Sequence, residues 1–137
     1  MKRQVVLSVA TVLLFLAASL VSASAENSVT IVSPKNGDTV ESPVEFCMET
    51  EGVEVEPAKN GVNDGKGHHH LLIDTDVPSD LSKPIGKDAQ HVHMGSGDDC
   101  KSLKLSAGEH TVTTLFAKGN HVPYDPEISD TIQITVK

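Results

Sequence analysis

Val44-Glu45-Phe46-Cys47-Met48-Glu49 alternates apolar and polar side chains without a break. Successive side chains of an extended chain point to opposite faces, so Val44, Phe46 and Met48 share one face and Glu45, Cys47 and Glu49 the other. The pattern predicts a half-buried strand with its apolar face on a core and Cys47 turned away from it. Pro43 opens this stretch, and upstream residues 28–32, rich in β-branched side chains, close at Pro34 and the turn pair Asn36-Gly37, predicting a first strand and a tight reversal.

Downstream, residues 56–67 carry Pro57, Asn60-Gly61, Asn63-Asp64-Gly65 and Gly67 with little apolar content, which predicts a loop. Leu71-Leu72-Ile73 follows three histidines as a short apolar run, and residues 74–87, with Pro78, Pro84 and Gly86, return to polar loop character. His91-Val92-His93-Met94 is the next short strand, ended by Gly95-Ser96-Gly97. Residues 102–105, 110–117 and 131–136 complete the set, with Ala107-Gly108 as a turn, and no segment sustains a helical period. About seven short strands punctuated by Gly and Pro predict an all-β fold, an immunoglobulin-like β-sandwich of Greek-key type, in one domain over residues 26–137.

The 137 residues hold 11 Lys+Arg against 19 Asp+Glu, a formal net charge of -8, with 3% aromatic residues and no Trp. That balance excludes a phosphate-neutralising nucleic-acid surface and disfavours attachment to anionic membranes. The scarcity of rings also argues against base-stacking platforms.

Met1-Lys2-Arg3, the apolar residues 5–21 and Ala23-Ser24-Ala25 ahead of Glu26 read as a secretory signal peptide cleaved after Ala25. The processing site argues against the alternative, an uncleaved anchor, and no Cys follows it to carry a lipoprotein lipid. Removing 25 of the 137 residues leaves 112 and takes the charge from -8 to -10 as Lys2 and Arg3 depart. The product is expected to be periplasmic or secreted, without a stable membrane anchor. An oxidising compartment permits a Cys47 to Cys100 bridge, preferred here over free thiols or thiolate ligands. Closing a loop of about 50 residues stabilises by roughly 4 kcal/mol in the chain-entropy account. The outward side of Cys47 predicts a peripheral staple, not the buried intersheet disulfide of antibody-type domains.

All seven histidines, His68, His69, His70, His91, His93, His110 and His121, lie between positions 68 and 121. Alternation puts His68 and His70 on one strand face with Leu72 and Asp74, and His69 on the other with Leu71 and Ile73. His91 and His93 also share a face, and same-face neighbours stand about 6.5–7 Å apart, so each His-x-His can offer two imidazoles to one ion. Were the two strands adjacent, at about 4.8 Å, His68, His70, His91 and His93 would converge, with His110 or His121 completing the site. Imidazole nitrogens at about 2.0–2.1 Å suit zinc, and also copper(II) and nickel. His69 is expected to be a packed structural residue, and His110, beside a turn, reads equally well as a donor to a backbone carbonyl. Met48 and Met94 could supply thioether to copper, but their alternation assigns them to packing.

Gly67-His68-His69-His70-Leu71-Leu72-Ile73-Asp74, His91-x-His93-x-Gly95, Ala107-Gly108-x-His110-Thr111 and His121-x-Pro123-x-x-Pro126 together resemble the domain of unknown function 4399 family. So does the opening Val29-x-Ile31-x-x-Pro34-x-x-Gly37-x-x-Val40-x-Ser42-Pro43-Val44. The resemblance covers nearly the whole processed chain and implies an exported bacterial β-domain without an assigned reaction. It draws attention to His68 to His70, Asp74, His93, His110 and His121, while Cys47 and Cys100 stand outside the pattern. His91-Val92-His93 with a Gly-rich turn and Cys100 is also similar to the copper-ligand segment of copper/zinc superoxide dismutases. The remainder of that pattern fails: only His110 and His121 follow Cys100, and the sole arginine, Arg3, leaves with the signal peptide.

Three functions follow. The first is capture of a transition metal, copper or zinc, by a periplasmic carrier, buffer or sensor. The second is a structural or interaction module with an envelope partner, its histidines forming a hydrogen-bonded cluster. The third, a metal-dependent enzyme of superoxide-dismutase-like type, needs an open coordination position and a base such as Asp74 or Glu109. No catalytic residues are assigned, since no nucleophile elbow, phosphate loop or HExxH helix is present in the sequence. Clustered imidazoles would repel once protonated, so loosening or metal release is expected below about pH 6.

Overall fold

The computed structural model describes residues 24–137, so the signal-peptide reading of residues 1–25 lies almost entirely outside the described part of the chain. The strands are β1 (Ser28–Ser33), β2 (Thr39–Val40), β3 (Val44–Glu51), β4 (Glu54–Val55), β5 (Lys66–Ile73), β6 (His91–His93), β7 (Cys100–Leu103), β8 (Gly108–Ala117) and β9 (Ser129–Val136), with a short 3-10 turn at Ala58–Asn60. One sheet has the order β1-β3-β7, and the other β2-β9-β8-β5-β4 with β6 also paired to β5. The chain is therefore an all-β sandwich, as the alternation implied, and the arrangement is consistent with an immunoglobulin-like one. The strands beyond the expected set of about seven are β2 and β4, two residues each and both in parallel pairs. Two residues are too few to print an alternating pattern.

The core forms where the two sheets face each other. In β3 the alternating residues Val44, Phe46 and Met48 are buried, and Glu45 and Glu49 are exposed. Against them lie Val29 and Ile31 of β1, Leu71 and Ile73 of β5, Val112 and Phe116 of β8, and Ile132, Ile134 and Val136 of β9. Full burial of each such side chain stabilises by roughly 1.5–3 kcal/mol, which is what holds the sheets together.

β5 is buried on both faces over Gly67 to Ile73, as its neighbour β8 is over Val112 to Ala117. Leu71 and Ile73 enter the core, whereas Leu72 joins Leu115, Ala117, Ile85 and Val77 in a second apolar cluster on the outer face of the sheet. The segment between β5 and β6, polar in overall composition, thus carries two apolar residues that dock over β5. Ile85 N–H fixes this cover to the loop after β8 by donating to the His121 carbonyl at 2.8 Å.

Cys47 and Cys100 form a disulfide between directly paired positions of β3 and β7. β7 is a short edge strand exposed along most of its length, so little apolar burial holds it and the bridge supplies the lack. We predict that Cys47→Ser/Cys100→Ser lowers the free energy of unfolding in urea by about 2–4 kcal/mol relative to the oxidised protein. An unchanged midpoint would show that the bridge constrains nothing the strand pairing does not.

Candidate metal centre

Register decides which histidines meet. His68 and His70 of β5 lie opposite Ala117 and Leu115 of β8, and across the other edge of β5 His70 pairs with His93 and Leu72 with His91. His68, His70 and His93 therefore project from the same outer face. His121 arrives from the loop after β8: His121 N–H donates to Lys118 O at 2.8 Å, Lys118 N–H donates to Val122 O at 3.0 Å, and Ala117 bridges Pro123. This tight reversal holds His121 at φ 66°, a left-handed conformation that is uncommon for a bulky residue and costs of order 1–3 kcal/mol. It also folds the ring back over β5.

One ring nitrogen from each of His68, His70, His93 and His121 lies within 4.8 Å of the others. The six ring centroid separations run from 4.6 to 5.7 Å. His70 Nε2 stands 3.0 Å from His68 Nε2, which in turn stands 3.1 Å from His121 Nδ1. Four nitrogens at 2.0–2.1 Å around a tetrahedral ion are separated by about 3.3 Å, so the close contacts already match and the widest needs a small side-chain rotation.

Three of the rings, His68, His70 and His93, are pushed towards the neutral form. Burial, reinforced by the neighbouring imidazoles, pushes His70 down to about 2 and His68 to about 4, and burial likewise lowers His93. His68 and His70 are fully enclosed, and His93 and His121 half-buried. A neutral imidazole has one donor and one acceptor, yet His68 Nε2 faces two ring nitrogens while His68 Nδ1, His70 Nδ1 and His93 Nε2 have no partner. If His68 Nε2 accepts both contacts, its proton sits on the unpartnered Nδ1; if it donates, that Nδ1 is an unpaired acceptor. Either arrangement leaves a buried polar nitrogen unsatisfied at about 1–3 kcal/mol. A cation at the centre would take the facing lone pairs together.

The other three histidines are engaged elsewhere. His69 faces the core, edge-on to Phe116 at 5.3 Å and 3.3 Å from Thr114 Oγ1, with burial pushing it to about 4 against the opposing pull of Asp99. His91 shares the outer face with His93 but sits opposite Leu72, and its Nδ1 is 2.8 Å from Asp88 Oδ1. His110 donates from Nδ1 to Asp74 Oδ2 at 2.7 Å and from Nε2 to the Ser106 carbonyl at 2.8 Å, contacts that raise its pKa, the Asp74 bond most. The structure thus brings together His68, His70, His93 and His121, and sets His91 and His110 apart as carboxylate partners. Met48 and Met94 are both core residues. The signal that separates His91 from His93 is Asp88, three residues before His91 at the end of the covering loop, whose carboxylate also accepts the His91 backbone N–H.

A family model described as a domain of unknown function (DUF4399) matches residues 46–137. No curated protein matches the chain. Among solved structures, the endo-beta-1,4-mannanase from Thermotoga petrophila is similar with a TM-score of 0.45 and 16% identity, over 82% of this chain and 20% of that one. The chain spans about a fifth of that protein's length, and a likeness of this degree transfers no activity.

The lowered pKa values fix a pH dependence for metal-free protein. The unfolded chain takes up protons near 6.5, whereas folded His68 and His69 resist to about 4 and His70 to about 2. The stability is therefore complete above 6.5 and is lost as pH falls towards those folded values, by up to about 1.4 kcal/mol per unit for each histidine. His110 has the opposite sign: its contribution is complete below 6.5 and is lost as pH rises through its raised folded value. With chelator present, we predict a urea midpoint that falls steadily from pH 6.5 to pH 4.5, a change that His70→Leu reduces. A flat profile over that range would contradict buried neutral rings.

Proposed function

The chain belongs to the domain of unknown function 4399 family, and on that premise we propose that it is an exported protein that captures a transition metal, copper or zinc, at His68, His70, His93 and His121. The observation that carries this reading is the convergence of four ring nitrogens within 4.8 Å on a covered sheet face. A donor set made only of imidazole suits zinc, copper and nickel, whereas magnesium and calcium require oxygen. The lowered basicity of His68, His70 and His93 keeps their lone pairs for the ion with little proton competition near pH 7. Two ligands sit on a rigid central strand, and the other two on a three-residue strand and a loop, both half-buried, which gives an ion a route in and out. That asymmetry favours a carrier, buffer or sensor over a permanently sealed structural site.

Export is supported by the leader-like residues 1–25 and by the disulfide, which fits an oxidising, periplasmic or extracellular compartment. Among the described residues no helix is long and apolar enough to cross a membrane. The excess of acidic groups, net -8, attracts cations over short range, weakly at physiological salt. Four protein nitrogens fill a tetrahedral ion's coordination, which favours holding and transfer over a superoxide-dismutase-like or other metal enzyme. Asp74, the carboxylate nearest to a base role in sequence, is bonded to His110 and Thr111.

The 3.0 and 3.1 Å ring contacts favour a second reading, an envelope structural or interaction module whose histidines simply hydrogen-bond to one another. Calorimetric titration of the processed protein separates the two. We expect zinc or copper(II) to bind one ion per chain with Kd below about 10 µM, weakened at least tenfold by His70→Ala or His93→Ala and unaffected by His110→Ala. Ion at a hundred times Kd should raise stability by about 2.7 kcal/mol. Absence of such binding, with His70→Ala equally destabilising with and without chelator, would establish the module reading instead.

A further inference from the structure

Gly95 follows β6 and carries no side chain at a point where the protein has no room for one. A Cβ there would stand 3.0 Å from His93 Nδ1 and closer still to Cε1 and Nε2 of the same ring, inside the roughly 3.5–4.0 Å of ordinary contact. Its backbone is not among the left-handed positions, so glycine is required here by space and not by φ. The backbone is also pinned. Met94 N–H donates to His69 O at 3.2 Å, Ala58 N–H donates to Gly95 O at 2.9 Å, Gly97 N–H donates to Met94 O at 3.3 Å, and the Met94 side chain is locked in the core. An added methyl group would therefore move the ring and not the chain, and the half-buried His93 can swing outward at low cost.

We infer that Gly95 is a positioning residue that seats the His93 ring in the four-histidine cluster, so that its missing Cβ sets the affinity of the metal centre; the inference rests on the metal-capture reading above. Gly95 touches no ion itself and acts through one ligand. It makes His93 the adjustable member of the set, since His68 and His70 are fixed by a strand covered on both faces and His121 by its own reversal.

The test is Gly95→Ala in the processed chain, followed by three readouts. In metal-free protein, long-range nitrogen NMR of the imidazoles should show His93 resonances shifted and those of His69 and His110 unmoved. In zinc and copper(II) titrations, Gly95→Ala should weaken Kd at least tenfold, and in a His93→Ala background it should change Kd less than about twofold. Unmoved His93 resonances, or an affinity loss that persists undiminished without the His93 ring, would overturn the assignment. Should wild-type protein bind neither ion while Gly95→Ala still shifts His93, the metal reading falls and the ring-seating role stands. Where Gly95→Ala alone compromises folding, His93→Ala/Gly95→Ala should restore a cooperative transition; a double variant that also fails to fold would place the clash elsewhere and overturn the proposal.

Discussion

Burial of β5 on both faces is the constraint from which the remaining features follow. A strand in that position ordinarily reads as a run of Val, Ile and Leu, yet three consecutive residues of this one are histidines. An imidazole cannot enter such a place as a cation without a partner, and His68, His69 and His70 are driven to the neutral form by desolvation above all. The strand thus holds nitrogen lone pairs in a dry environment. What those nitrogens face depends on the side of the sheet from which they project.

On the core side, His69 meets Phe116 and Thr114 and behaves as a packed residue with one weak polar contact. On the outer side, His68 and His70 meet other imidazoles, with no carboxylate among the causes that shift either ring. The segment between β5 and β6 supplies hydrophobic contact through Val77 and Ile85, the loop after β8 supplies the fourth ring of the cluster through His121, and the Ile85 to His121 hydrogen bond joins the two. The outer apolar cluster and the His121 loop are thereby tied to each other through the backbone. His110 and Asp74, in contrast, form a hydrogen-bonded pair that ties the end of β5 to β8, consistent with the fixed backbone of Asp74 at φ 52°.

Much of this was legible in the sequence because alternation is a local property. The faces of β3, the core role of His69 and the shared face of His68 and His70 follow from parity alone. Register is not local: nothing in His91-Val92-His93 states that His93 and not His91 will stand opposite His70, since the loop between β5 and β6 sets that pairing. His121 was one of two candidates to close the site, and its selection over His110 depends on a turn at Lys118 to His121 that carries no strong signature beyond Gly119-Asn120. The strands β2 and β4 escaped for lack of length, and the steric role of Gly95 becomes visible only when the His93 ring has a position.

The central claim is that His68, His70, His93 and His121 jointly ligate one ion. X-ray absorption at the metal edge of protein loaded with one equivalent of zinc or copper addresses it directly. The account predicts nitrogen neighbours alone at about 2.0–2.1 Å with the outer scattering of four imidazole rings, reduced to three in His121→Ala. Oxygen-dominated coordination with no more than one imidazole, identical in the wild-type protein and in His121→Ala, would contradict it.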